Sequence, residues 1–518
     1  MSFTSPAFFL FVLVLVPVYY LAPKRSQWII LLIASYAFYL FGSVKAVFYL
    51  VFTTITTYTA GLLLDRLNRR RAHLAPEEKT LGAKRIKRQK KAVIVCALLM
   101  SFGLLYLVKY WNFTAELLSG ITGAAVPGLN LLVPLGLSFY LFQSVGYVID
   151  IYRGKYEAQA SLPRFALFVS FFPQIIQGPI SRYDQLAPQL LARRSVNWDH
   201  LKYGIQLAMW GYFKKLIIAE RIGVAANTVF ADNSAYGGAV LAVGVLAYCI
   251  QLYCDFSGGI DITRGVAQML GIDLIENFRR PIFSQSLTEF WRRWHISLGG
   301  WLRDYLFFSL SLSKPFARLG KWARKHIPGK AGKILATSLA TFIVYFVIGV
   351  WHGANWRYIA FGFYNGLIIT ASLLLEDRFI RLRQIFRMSD HPGWRLFRMG
   401  RTALLVFIGR YITRAPRLLV GVDMLWRTVF DCRISQLWDG SLLTLGITGF
   451  DYGVVLSGVA VLLLTEYQQE KGVAIRDTLA RKNPLLQWLA IAIPMAVILL
   501  FGIVIRSYVP AQFIYAQY

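Results

Sequence analysis

Long windows without charge constrain this chain more than any other feature. An α-helix rises 1.5 Å per residue, so about 20 apolar residues are needed to cross about 30 Å of hydrocarbon. Residues 92–109, 131–149, 334–350, 359–375 and 485–505 approach that length with at most one terminal charge. They are apolar all round, whereas a soluble surface helix carries one apolar stripe and a polar back. Only 16% of the 518 residues are charged and 56% are apolar, against about 25% charged in ordinary soluble domains. Lipid is the expected solvent. The chain reads as an all-α polytopic membrane protein with about 10–12 transmembrane helices, re-entrant elements and a single membrane domain over residues 1–518.

Charge then orients the helices. Residues 66–91 hold eleven Lys or Arg and two Glu, which assigns this basic segment to the cytoplasm. Counting back through 44–64, 28–41 and 7–21 places the N-terminus outside. Counting forward through 92–109 and 131–149 returns to the basic Arg153 and Lys155. Further spans at 203–219 and 239–256 lead to residues 314–333, with seven basic residues and no acid. The pair 334–350 and 359–375 ends at Arg378, Arg381, Arg383 and Arg387, and spans near 402–420, 452–467 and 485–505 follow. The span at 402–420 is weakened by Arg410, Arg414 and Arg417, and both termini come out extracytoplasmic. The proline-broken block 165–179 is too short for a clean crossing and is expected to be re-entrant.

The N-terminal apolar run 8–16 has no positive flank before it and no small-x-small cleavage site after it, so it reads as a retained helix. The net charge of +30 sits in loops beside the spans. It therefore points to membrane topology and anionic lipid rather than nucleic acid. Cys96, Cys249, Cys254 and Cys432 show neither a CxxC pair nor metal-ligand spacing and are read as free thiols.

Three polar clusters stand where ionisable groups are costly. Gln251 and Asp255 are four residues apart on one helix face, which suits either a functional pair or interhelical hydrogen bonding. The second cluster runs Glu289-Phe290-Trp291-Arg292-Arg293-Trp294-His295 and continues to Trp301-Leu302-Arg303-Asp304-Tyr305. It suits an interfacial anchor or a pocket for an anionic acyl donor. The third, Trp351-His352-Gly353-Ala354-Asn355-Trp356, joins two long apolar segments. A transporter or channel would use such residues too, but it predicts paired interrupted helices in two related halves, and no such symmetry is visible.

Together these clusters resemble the membrane-bound O-acyltransferase family. The branch it resembles includes bacterial alginate O-acetyltransferases and the D-alanyl transfer protein of teichoic acid synthesis. The similarity is carried by Met1-Ser2-Phe3-Thr4-Ser5-Pro6, Pro134-Leu135-Gly136-Leu137-Ser138-Phe139, Asp150-Ile151-Tyr152-Arg153-Gly154, Phe172-Pro173-Gln174 and Gly178-Pro179. Most specific are Phe290-Trp291-Arg292-Arg293-Trp294-His295, Trp301 to Tyr305, and Trp351-His352-Gly353-Ala354. One departure is Phe307-Phe308-Ser309-Leu310, where alginate-type members carry a Pro-Leu-Gly-Gly-Asn-Arg-like loop.

The resemblance implies a central channel, His352 as a deep catalytic histidine and His295 as the supporting one. Trp291, Arg292, Arg293, Arg303, Asp304, Trp351, Asn355, Gln251 and Asp255 become candidate substrate-binding residues. The implied co-substrate is acetyl-CoA or an acyl carrier protein thioester, with no bound cofactor or metal. The acyl group, acetyl first and D-alanyl as the alternative, would go towards an extracytoplasmic cell-surface polysaccharide. An extracytoplasmic esterase-like (SGNH-type) transferase is the expected partner, and the bacterial cytoplasmic membrane the expected location. In the tail 509–518, Phe513-Ile514-Tyr515-Ala516-Gln517-Tyr518 resembles the Phe-x-Tyr-x-x-Phe ending of family members. Tyr515, or Tyr518, is thus a candidate acyl relay, since a phenol of pKa about 10 leaves more readily than a sugar hydroxyl.

Overall fold

Helices account for nearly all regular structure in the computed structural model, which describes residues 2–74, 79–385 and 391–502. Among the described residues there is no strand, only one isolated antiparallel bridge between Phe278 and Trp294. Among the described residues six helices are long and apolar enough to cross a membrane: Val44–Ala72, Thr80–Lys109, Gly238–Met269, Gly329–His352, Gly449–Glu470 and Pro484–Phe501. The bent pair Trp356–Leu374 and Glu376–Leu382, angled at 61°, makes a seventh. Pro6–Leu21 and Gln27–Leu40 are apolar but shorter. These helices expose large apolar side chains, Leu21 at 85% and Leu499 at 72%. Water would penalise that surface, whereas acyl chains cover it. The chain is a multi-pass membrane protein.

Several expected spans take a different form. Residues 131–136 are not helical, and the helix begins only at Leu137 and runs to Arg153. The cause is Gly136, with φ +77°, where a Cβ would lie 1.9 Å from the carbonyl oxygen of Ile175. The segment 402–420 breaks at Ala415 into Pro392–Arg414 and Leu418–Phe430, as Pro416 requires. The basic segment 66–91 is largely helical among its described residues, and Arg69, Arg70 and Arg71 complement the C-terminal end of Val44–Ala72. The tail 509–518 with Tyr515 and Tyr518, and Arg387, lie outside the described residues.

The chain divides into two compact units. The first comprises residues 1–209 and 259–275. Its core holds the expected re-entrant block, two short helices Leu162–Ser170 and Phe172–Ile175, buried from Phe165 onward. A chain of buried amides satisfies this irregular backbone. Gln143 Nε2 donates to the Phe168 carbonyl at 2.6 Å, Gln174 Nε2 to Gln143 Oε1 at 2.9 Å, and Ser181 Oγ to Gln174 Oε1 at 3.0 Å. Irregular backbone at membrane depth survives only with such partners.

Of the described residues, the second unit comprises 210–258 and those from 276 to 502 and carries both motif histidines. Its central feature is the hairpin of Gly329–His352 and Trp356–Leu374. The two helices touch through glycine, because a Cβ on Gly349 would lie 2.7 Å from Gly362 Cα and 2.4 Å from the Tyr358 carbonyl. Close backbone approach through small residues is how helices associate where lipid supplies no hydrophobic drive. The turn between them is the Trp351-His352-Gly353-Ala354-Asn355 motif.

Candidate active site

His295 lies between two short helices, Leu287–Arg293 and Ile296–Leu302, with left-handed backbone at φ 48° and ψ 54°. For a residue with a side chain that conformation costs on the order of 1 kcal/mol and needs an external hold. Asn277 provides it. The Asn277 carbonyl accepts from Ile296 N at 3.0 Å, and its Oδ1 accepts from Ser297 N at 2.9 Å. The same Oδ1 lies 3.2 Å from His295 Nδ1. An amide oxygen only accepts, so His295 Nδ1 carries the proton and Nε2 presents its lone pair. Asn277 is fully buried and His295 is 2% exposed. That burial pushes the imidazole pKa down to about 3, so the ring is neutral at physiological pH.

An aromatic box surrounds this imidazole. The Phe256 ring stands edge-on to it at 4.9 Å between centroids, and the Trp351 indole lies at 5.9 Å. The same indole is 5.0 Å from His352, which ends the Gly329–His352 helix. His352 is 8% exposed and is flanked by Tyr358 and Phe361, each at 6.1 Å. The two motif histidines, far apart in sequence, therefore share one indole. Trp291 joins the group through Phe361 at 6.1 Å and donates its Nε1–H to Asn365 Oδ1 at 3.1 Å.

Other sequence candidates hold other places. Arg293 forms a two-pronged bond with Glu470, both contacts at 3.0 Å, and pairs with Glu289 at 2.7 Å. Glu470 also accepts from Arg280 at 2.8 Å, so this arginine anchors the His295 segment to the end of the Gly449–Glu470 helix. Asn355 Oδ1 caps the following helix, accepting from Arg357 N at 3.1 Å. Arg303 pairs with its neighbour Asp304 at 3.1 Å on a largely exposed side chain, and Arg292 is exposed.

Asp255 is bonded to Lys215, and Lys215 also binds Glu220 at 2.7 Å. All three are buried, in and beside a π-helical stretch, Phe213–Ala219. Lys214 donates to Ser257 at 2.9 Å. Consecutive lysines thus clamp the residues on either side of Phe256, whose ring walls His295. Gln251 is buried one turn before Asp255.

Sequence reasoning missed Asn277, Glu470, Lys215 and Phe361. Lys215 and Glu470 carried a signal, each being an ionisable residue in or at the end of an apolar stretch; Asn277 carried none. Among the described residues no group of three or more His, Cys, Asp or Glu could hold a metal ion.

Residues 157–395, which include both motif histidines, match the model of the membrane-bound O-acyltransferase family. Probable alginate O-acetylase AlgI of Pseudomonas aeruginosa is 34% identical over 468 residues, 89% of this chain and 81% of its own length. Peptidoglycan O-acetyltransferase of Helicobacter pylori is 27% identical over 366 residues, 66% of this chain and 63% of its own. Teichoic acid D-alanyltransferase of Bacillus subtilis is 30% identical over 305 residues, 57% of this chain and 71% of its own.

Proposed function

Because the chain belongs to the membrane-bound O-acyltransferase family and is an O-acyltransferase, we propose that it passes an acetyl group from a cytoplasmic thioester to a hydroxyl on the outer side. The donor is acetyl-CoA or an acyl carrier protein, and the final acceptor a cell-surface polysaccharide. The protein lies in the bacterial cytoplasmic membrane with both termini outside. Acetyl is favoured over D-alanyl because the alginate O-acetylase resembles this chain over 89% of its length and the D-alanyltransferase over 57%.

The observation that carries the reading is the pairing of two buried imidazoles across one indole. Attack of a hydroxyl on a thioester needs a base at the oxygen and exclusion of competing water. His352 takes the hydroxyl proton as the oxygen bonds to the carbonyl carbon. The carbonyl π pair moves onto oxygen, and collapse of that intermediate expels the thiolate, which receives the proton. His295, whose Nε2 can only accept, neither binds the attacking O–H, whose one proton goes to His352, nor donates to the oxyanion; it positions the site through Trp351. Burial among Trp351, Phe256 and Phe361 keeps the thioester from hydrolysis.

The test is transfer of labelled acetyl by the purified chain in nanodiscs. His352→Ala with an unchanged melting profile is expected to lose activity by about 10²-fold or more; undiminished transfer removes His352 from the mechanism. Tyr515 is proposed as the outward relay, handing the group to an extracytoplasmic esterase-like transferase. An acyl adduct seen by intact mass and lost in Tyr515→Phe is the expected signature.

A further inference from the structure

Arg410 is a cation placed among aromatic rings. It belongs to the Pro392–Arg414 helix and is 7% exposed. Other arginines of the unit have their partners: Arg293 and Arg280 bind Glu470, Arg357 donates to the Ala415 carbonyl and the Tyr358 hydroxyl, and Arg414 donates to Asn227. Among the described residues the Arg410 guanidinium has no ion pair and no hydrogen-bond acceptor. It lies instead over two aromatic rings, 5.6 Å from the centroid of Trp294 and 5.7 Å from that of Phe361.

Phe361 is a wall of the site, and Trp294 packs against another, its ring 6.4 Å from that of Phe256. Trp294 precedes His295 in the chain, and Phe361 stands 6.1 Å from His352. Aromatic faces offset part of a positive charge, but they do not satisfy five N–H donors. An arginine cannot escape by losing its proton, so its burial without a carboxylate is costly unless a negative group visits. Acyl transfer places a negative charge on the carbonyl oxygen of the tetrahedral intermediate.

We propose that Arg410 is the anion-binding group of the active site, its guanidinium fork pairing with an oxyanion between His295 and His352. The inference rests on the acyl-transfer reading above. As the acceptor oxygen bonds to the thioester carbon, the displaced π pair becomes an oxyanion opposite the fork, and the pairing relaxes when the carbonyl reforms and the thiolate departs. A carboxylate carried by the acceptor sugar has the same chemistry and is the other source of such an anion.

The full chain in nanodiscs is assayed with labelled acetyl-CoA and two acceptors, a neutral oligosaccharide and a uronic-acid oligosaccharide. For Arg410→Met, an oxyanion generated by the reaction predicts kcat lower by about 10²–10³-fold with both acceptors and KM little changed. A sugar carboxylate predicts a KM raised at least tenfold for the uronic-acid acceptor alone. Either result supports the assignment. Wild-type kcat and KM with both acceptors overturn it while leaving the His352 mechanism in place. No label passing from acetyl-CoA to either acceptor or onto the wild-type chain itself overturns both. Should the methionine variant not fold, Arg410→Lys decides: a folded protein at least tenfold slower supports the planar fork, and the wild-type rate overturns it.

Discussion

Replacing Asn277 by alanine removes one acceptor oxygen and strands two buried donors, the Ser297 N–H at 2.9 Å and the His295 Nδ1–H at 3.2 Å. Each unsatisfied buried donor costs about 1–3 kcal/mol, so the pair amounts to about 2–6 kcal/mol. The left-handed turn at His295 then has nothing to hold its side chain, and the unlocked imidazole exchanges its tautomers. The expected outcome is a melting temperature lower by several degrees and acetyl transfer reduced at least tenfold. Asn277→Asp separates positioning from packing. A carboxylate accepts the same two bonds, so it restores the fold, but its charge favours protonated imidazole and moves the acid limb of the pH–rate profile upward. Measurement is by thermal unfolding in detergent and by labelled transfer across pH. An alanine variant with the wild-type melting temperature and wild-type rate would refute the claim that Asn277 sets the His295 ring.

Two further outcomes follow from buried charge. His295 has a folded pKa near 3 against 6.5 in its unperturbed state, so between these values the unfolded chain binds more protons. Its contribution is complete above pH 6.5 and is lost as pH falls towards 3, about 2 kcal/mol by pH 5; His295→Gln is expected to flatten that slope in pH-dependent melting, and an unchanged slope counts against it. Lys215→Met leaves Glu220 and Asp255 facing each other without their shared cation, which is expected to cost about 3–5 kcal/mol. The triple variant Lys215→Met, Glu220→Gln, Asp255→Asn should recover part of that loss, and equal melting temperatures for single and triple variants would contradict the ion-pair account.

Much of the architecture was written in local sequence. Charge-free windows specify helices in lipid, because a bilayer satisfies no backbone hydrogen bond and leaves few alternatives. The hairpin that presents His352 was legible for the same reason: two such windows flank a short glycine-containing turn. Windows measure apolarity rather than backbone geometry, however. That is why residues 131–136 looked like part of a crossing, although a left-handed Gly136 packed against the Ile175 carbonyl forbids it.

Apolar length and the motif histidines thus came from the sequence alone. The partners of those histidines came only from tertiary packing. Asn277 meets His295 across 18 residues, Lys215 meets Asp255 across 40, and Arg293 meets Glu470 across 177. Arg410 weakens a span in sequence, and only the fold sets it over Trp294 and Phe361. The physical reason is that composition fixes how many charges must be buried, while close packing of distant helices fixes which group answers each one.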